Sequence, residues 1–159
     1  MTKWSNRSIS NFSSCDDRLK KIADKARELY PEVDFTIIEG QRSIAQHKAN
    51  LAKGVSWAKL SKHCYFPSYA FDFIPYPFKN WNDTKGFEKV GKALFDAAKA
   101  LGIKARWGGD WNMNGSYKDE VLRGSYDGGH FELMEAYNGK YAFNDANNYI
   151  VNKNGTHFV

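Results

Sequence analysis

The sequence predicts an α+β domain: a small antiparallel sheet with two long helices packed on it. Three observations predict it. Two runs carry apolar residues at helical spacing, several short β-branched or aromatic runs alternate as strands do, and 159 residues hold one ordinary core but barely a second. The composition is globular, with 42% hydrophobic and 26% charged residues, and an aromatic share of 16% is high enough to line a groove as well as fill a core.

The first long helix is CDDRLKKIADKARELYPEV, with Leu19, Ile22, Ala23, Ala26, Leu29 and Tyr30 on one stripe, Ser14 or Asp16 as cap and Pro31 just past the end. VDFTIIEG follows as a strand closed by Gly40, then RSIAQHKANLAKG as a short helix ending at Gly54, in which His47 is a solvated side chain. SKHCYFPSYAFDF, residues 61–73, is aromatic throughout. IPYPFKNWND, broken by Pro75 and Pro77, is a loop leading to a cap at Asp83 or Thr84. In TKGFEKVGKALFDAAKALG the residues Phe87, Val90, Leu94, Phe95, Ala98 and Leu101 share a face and Gly102 ends the second long helix. IKARWGG and GHFEL are strands, with DWNMNGSYKDE as a polar loop between them. No repeat or linker divides the chain, so residues 1–135 form one unit. Residues 136–159, rich in Asn and Tyr, form a C-terminal extension expected to be a small hairpin packed on the same domain.

Lys and Arg outnumber Asp and Glu by 23 to 18, and the pI near 9.1 predicts attraction to anionic polymers. No dense Lys/Arg stripe interleaved with stacking rings is present, so nucleic acid is not the expected partner. Nowhere do about 18 apolar residues run together, so no stable membrane insertion is expected, and the N-terminus lacks the apolar segment of a secretory signal. Synthesis and folding in the cytoplasm, as a monomer, are the expectation. Cys15 and Cys64 make no disulfide framework and no C-x-x-C pair, so both are expected to be free.

His63 and Asp72 stand in an aromatic run that otherwise belongs inside a protein. Histidine and carboxylate with a third donor form the usual zinc site of hydrolases, open at one position to water. The two are nine apart, an odd separation that a flat strand would aim at opposite faces, so the chain between them must turn, at Pro67 and Ser68-Tyr69. His130 in YDGGHFEL is the third candidate, with Gly128 and Gly129 permitting unusual backbone or close approach. Asp127, three residues before it, is spaced to take a proton from water. Glu132 shares strand parity with His130, as a weaker base candidate or a partner of that ligand. Singly, a lone histidine or aspartate of this kind is structural more often than not.

A separate signal lies in DWNMNGSYKDE. Asp110, Asn112 and Asn114 followed by Gly115 reproduce the first half of an EF-hand loop, but its twelfth position is Val121, and Asp119 and Glu120 come early. Two readings stay open: a shortened calcium loop with Asp110, Asn112, Asn114, Asp119 and Glu120 as ligands, or an Asn/Gly turn.

The order SKH…AFDF, LGIKARWGGDWN and SYDGGHFEL, with FTIIEGQRS before them, resembles the zinc peptidases related to D-Ala-D-Ala carboxypeptidases, the hedgehog/DD-peptidase fold. Within them it is most similar to the L-alanyl-D-glutamate peptidases of bacteriophage endolysins, over roughly residues 16–135. The resemblance implies zinc held by His63, Asp72 and His130, with Asp127 as catalytic acid/base. It implies that Arg42 holds substrate and stabilises the oxyanion, and that Ser61 supports the turn before the first ligand. The implied substrate is the peptidoglycan stem peptide, cut at its L-Ala-D-Glu bond by metal-activated water after release from the host cytoplasm to the wall. Basic charge would concentrate such an enzyme on anionic wall polymers. Eight residues separate His63 from Asp72 where the family pattern has six, and the extra residues are expected to bulge outward. Two alternatives follow: a D-Ala-D-Ala carboxypeptidase or dipeptidase on the same zinc site, or a peptidoglycan-binding module whose altered loop has lost the metal.

Overall fold

The computed structural model describes residues 3–43, 46, 49, 50, 52, 53, 61–65, 67–135, 142–144 and 149–151. In chain order these form α1 (Asn6–Phe12), α2 (Asp17–Leu29), β1 (Phe35–Glu39), a 3-10 turn (Lys62–Cys64), β2 (Ala70–Pro75), α3 (Thr84–Ala100), β3 (Ala105–Trp107), α4 (Lys118–Arg123) and β4 (His130–Leu133). Two further strands, β5 (Ala142–Asn144) and β6 (Tyr149–Val151), pair antiparallel with each other, as the turn signals in the tail lead one to expect.

The four main strands form one antiparallel sheet in the order β1-β2-β4-β3. Side chains alternate across it. Phe35, Ile37, Phe71, Phe73, Ala105, Trp107, Phe131 and Leu133 are buried in one core with the helices, each large side chain contributing about 2 kcal/mol or more on burial. The same alternation sends Asp72, Arg106, His130 and Glu132 to the opposite face.

α2 and α3 are the two long helices, packed on each other and on that core. Asp16 caps α2 by accepting the Arg18 N–H at 3.0 Å, and Asp83 caps α3 by accepting the Gly86 N–H at 3.2 Å. Leu19, Ile22, Ala23 and Ala26 are buried on α2, and Phe87, Val90, Leu94, Ala97 and Ala98 on α3. Leu29 and Leu101 are exposed, and Phe95 is only half-buried beside Lys99. The buried stripes therefore end earlier than periodicity alone suggests.

Three local expectations are corrected. The N-terminal segment, assigned no element from sequence, forms α1. Its Ser8 Oγ accepts the Ile37 N–H at 3.0 Å and its Asn11 Nδ2 donates to the Ile37 carbonyl at 2.8 Å, covering the β1 edge where the register slips between Ile37 and Glu39. Tertiary partners stabilise a seven-residue helix that propensity would not. β2 runs on through Pro75, which pairs with Phe35 at the strand end, before a cis Tyr76-Pro77 bond. The polar loop after β3 closes into α4 rather than staying irregular. Of the short helix expected at RSIAQHKANLAKG, the described residues Gln46, Ala49, Asn50 and Ala52 are helical, while His47 and most of the tail lie outside the described residues.

Candidate metal centre

His63 sits in the 3-10 turn, whose cap is Ser61, the Oγ accepting the His63 N–H at 3.2 Å. The chain then folds back. Tyr69 N–H donates to the Lys62 carbonyl at 3.0 Å and Ser68 Oγ to the Ala70 carbonyl at 2.7 Å, so β2 starts directly beside the turn it has just left. Ser68 also exchanges backbone bonds with Ser14 and Asp16 at 3.0 and 2.8 Å, and Tyr65, Ser68 and Tyr69 are buried. Contrary to the outward bulge expected, these residues of the longer loop pack inward against the entry to α2. The turn does what the odd spacing requires and brings Asp72 to face His63.

Asp72 on β2 is the cross-strand partner of His130 on β4. His63 Nε2 lies 3.0 Å from Asp72 Oδ1 and 3.2 Å from His130 Nδ1, and His130 Nδ1 lies 3.3 Å from Asp72 Oδ1. These sides are close to the edge of a tetrahedron with zinc–ligand bonds near 2.0 Å, about 3.3 Å. The three residues form a group able to hold a metal ion. Both imidazoles are oriented from behind. His63 Nδ1 is 2.8 Å from the Gly40 carbonyl, to which it donates, leaving Nε2 with the lone pair that could hold a metal. His130 Nε2 is 2.8 Å from Glu132 Oε1, leaving Nδ1. Gly40 suits its position because a Cβ there would lie 2.5 Å from the Asn11 carbonyl and from Ser14 Oγ. Gly129 likewise serves close approach, its Cβ position lying 3.0 Å from the Phe73 carbonyl, and its φ is not positive.

Burial opposes charge on Asp72, yet the His63 and His130 rings outweigh it and hold the carboxyl well below its ordinary range. Burial also opposes charge on His130, but Asp72 and Glu132 together push its pKa up to about 10. For Glu132, burial raises the pKa while His130, Lys62 and Arg106 lower it further, to about 2. Asp127 differs. Burial dominates and raises its pKa, with His130 pulling the other way and Asp72 adding to the rise. A carboxyl whose burial favours its neutral form thus shares the site with one held as an anion. Asp127 is fixed by its backbone, its N–H donating to the Gly108 carbonyl at 2.9 Å and its carbonyl accepting from His130 N–H at 3.1 Å.

Arg42 joins the same cluster. Its Nε donates to Glu39 Oε1 at 2.8 Å, its Nη2 also meets that oxygen, and Nη2 lies 3.6 Å from Asp72 Oδ2. All five residues expected at the site are therefore brought together. Sequence reasoning did not name Glu39, Lys62, Arg106 or Trp111 among them. Glu39 pairs with Asp72 across β1 and β2, and a carboxylate three residues before Arg42 at a strand end was the available signal. Glu132 Oε2 receives Arg106 at 3.1 and 3.2 Å and lies 3.5 Å from Lys62 Nζ. Trp111 lies 5.4 Å from the His130 ring, and the Arg106 guanidinium lies 5.0 Å from the Trp111 ring.

The loop before α4 is held by its own oxygens. Asp110 accepts from the N–H groups of Asn114 and Gly115 at 3.1 and 2.8 Å, and Asp119 Oδ2 accepts from Asn112 and Asn114 side chains at 2.7 and 3.0 Å. Gly115 has φ +88°, as the sharp turn requires. Glu120 is fully buried, and its Oε1 and Asp119 Oδ1 have no partner among the described residues. Such oxygens are suited to a hard cation. Cys15 and Cys64 are free and buried, with burial pushing the thiols up to about 12 and 11.

The family of phage L-alanyl-D-glutamate peptidases matches residues 1–134 of the chain. Over 135 residues the chain is 44% identical to the L-alanyl-D-glutamate peptidase of Escherichia phage T5, covering 83% of this chain and 98% of that protein. Its fold is similar to the crystal structure of the Serratia marcescens L-Ala D-Glu endopeptidase ChiX, with a TM-score of 0.65 and 25% identity over 84% of this chain and 90% of the other.

Proposed function

Because the chain belongs to the phage L-alanyl-D-glutamate peptidase family, we propose that it is a zinc-dependent endolysin, hydrolysing the L-Ala-D-Glu bond of the peptidoglycan stem peptide. Its fold is then that of the D-Ala-D-Ala carboxypeptidase-like zinc peptidases. The observation that carries the metal is the triangle of His63 Nε2, Asp72 Oδ1 and His130 Nδ1, with sides of 3.0 to 3.3 Å and both imidazole tautomers set by partners behind them.

Zinc bound there would polarise the scissile carbonyl and lower the pKa of water to about 7. The chain's own residues supply the rest. Asp127, its pKa raised by burial, accepts a proton from the attacking water and returns it to the leaving amine. Arg42, anchored on Glu39, directs positive charge at the carbonyl oxygen as it becomes an oxyanion. Asp72 stays ionised through the cycle. No covalent intermediate is needed. The enzyme acts on the wall after release from the cytoplasm in which it is made.

The loop Asp110–Glu120 is proposed to take calcium, since Asp119 Oδ1 and Glu120 Oε1 are buried acceptors without donors among the described residues. Its link to the centre is Trp111, whose Nε1 donates to the Ser125 carbonyl at 2.7 Å and whose ring faces His130.

The test is metal content by elemental mass spectrometry, for the protein and for His130→Ala, beside mass analysis of termini freed from purified peptidoglycan. About one zinc per chain, lost in the variant, with new N-terminal D-Glu, is the expected result. Zinc-free protein after zinc has been offered, or freed D-Ala alone, would overturn it.

A further inference from the structure

We infer that Arg106, laid against Trp111, is the receptor for the free carboxylate of the substrate's D-glutamyl residue. It rests on the peptidase reading above. A D-glutamyl residue has two carboxyl groups and the chain continues through one at most. The other remains a few bonds from the scissile carbonyl, as a carboxylate or as an amide. An enzyme that cuts on the amino side of this residue meets that group at every turnover.

The site face carries a cation placed to meet it. Arg106 is paired across β3 and β4 with Glu132, two residues beyond the ligand His130. Its Nε and Nη2 both engage Glu132 Oε2, at 3.2 and 3.1 Å, which fixes the guanidinium plane and leaves its remaining N–H groups without another carboxylate among the described residues. A third of the side chain is still exposed, at 34%. Trp111 is adjacent to both, 5.0 Å from the guanidinium and 5.4 Å from the His130 ring, so its indole is a surface shared by the candidate metal ligands and Arg106.

Glu132 is flanked by two cations, Arg106 and Lys62, and its negative charge is already shared with His130. Lys62 is spent elsewhere. Its Nζ donates to the Leu133 carbonyl and the side chain is largely enclosed, at 18% exposure. Arg42 on the other flank is 11% exposed and held by Glu39 and Asp72. Arg106 is thus the more open of the three cations, and its planar fork matches a carboxylate with two parallel hydrogen bonds.

The experiment compares two synthetic stem peptides on the zinc-loaded protein, identical except that the unextended D-Glu carboxyl is free in one and a primary amide in the other. The acid is expected to be cut with kcat/KM higher by about 10- to 100-fold, mostly through KM, the range of a charge-assisted hydrogen-bonded pair. Arg106→Gln is expected to bring that ratio to within about threefold of unity, and Arg106→Lys to leave an intermediate ratio, since lysine keeps the charge and loses the fork. Zinc content is measured on each variant. Should Arg106→Gln lose zinc, the ratio in Arg106→Lys decides. A wild-type ratio near one, or a variant with intact zinc and the full wild-type ratio, overturns the receptor while leaving the peptidase reading in place. Failure to cut either peptide at L-Ala-D-Glu overturns the peptidase reading and the receptor with it.

Discussion

Asp127 and Asp72 are the same residue type under the influence of the same two imidazoles, and their surroundings drive them to opposite behaviour. Asp72 is tied to both histidines and stays charged, whereas Asp127 has no comparable side-chain hydrogen bond among the described residues and is governed by burial. Asp127→Asn should therefore keep about one zinc per chain and lose kcat by roughly 10²- to 10⁴-fold, measured by peptide hydrolysis and metal analysis on the same sample. His130 supplies a second prediction. In the metal-free protein its pKa is near 10, so a proton and zinc compete for Nδ1 and apparent zinc affinity should climb with pH up to about that value, by at most about tenfold per unit. The same raised pKa means that the imidazolium stabilises the metal-free fold fully below about pH 6.5 and that this contribution is lost as pH rises through about 10. Glu132 works in the opposite sense, its contribution full above about pH 4.5 and lost as pH falls toward about 2. The grouping of His63, Asp72 and His130 was legible in the sequence because each stands in a motif that carries the family resemblance. Glu39 and Arg106 were not, because their roles are set by cross-strand register, which a linear pattern does not encode.

Among the elements, α1 shows how a segment with weak intrinsic preference becomes structure. Ser8 and Asn11 satisfy both backbone groups of Ile37, at the point where β1 slips register on its way to Glu39 and Gly40. Ser8→Ala should cost about 1–2 kcal/mol in urea unfolding, by leaving the buried Ile37 N–H unpaired. Helix propensity for NRSISNF carried no such information, whereas α2 and α3 were legible because their apolar stripes repeat over three turns or more. The loop before α4 was half legible. Its glycine and alternating oxygens stood out, but the buried Glu120 depended on α4 forming. Calcium should raise the melting temperature by several degrees, and Asp110→Ala should abolish the response; an Asp110→Ala protein with the full shift would remove that loop from the account.

At the scale of the whole molecule, two helices on a small antiparallel sheet were predictable from period and length, and the strand order was not. β4, the last of the four in sequence, lies between β2 and β3. His130 opens that strand and faces Asp72 directly. The three residues able to hold a metal ion are His63, Asp72 and His130, so their grouping is the product of the completed sheet and of no local segment. Until β4 arrives, β2 and β3 each present an unpaired edge, and non-local pairing of this kind is slow to form. A ribosome adds about 5–20 residues each second, so a growing chain passes through several seconds in which two ligands exist and the third does not. The segment that supplies the third residue able to hold a metal is thus also the one that joins β2 to β3, so the site and the four-stranded sheet are completed in the same step of synthesis.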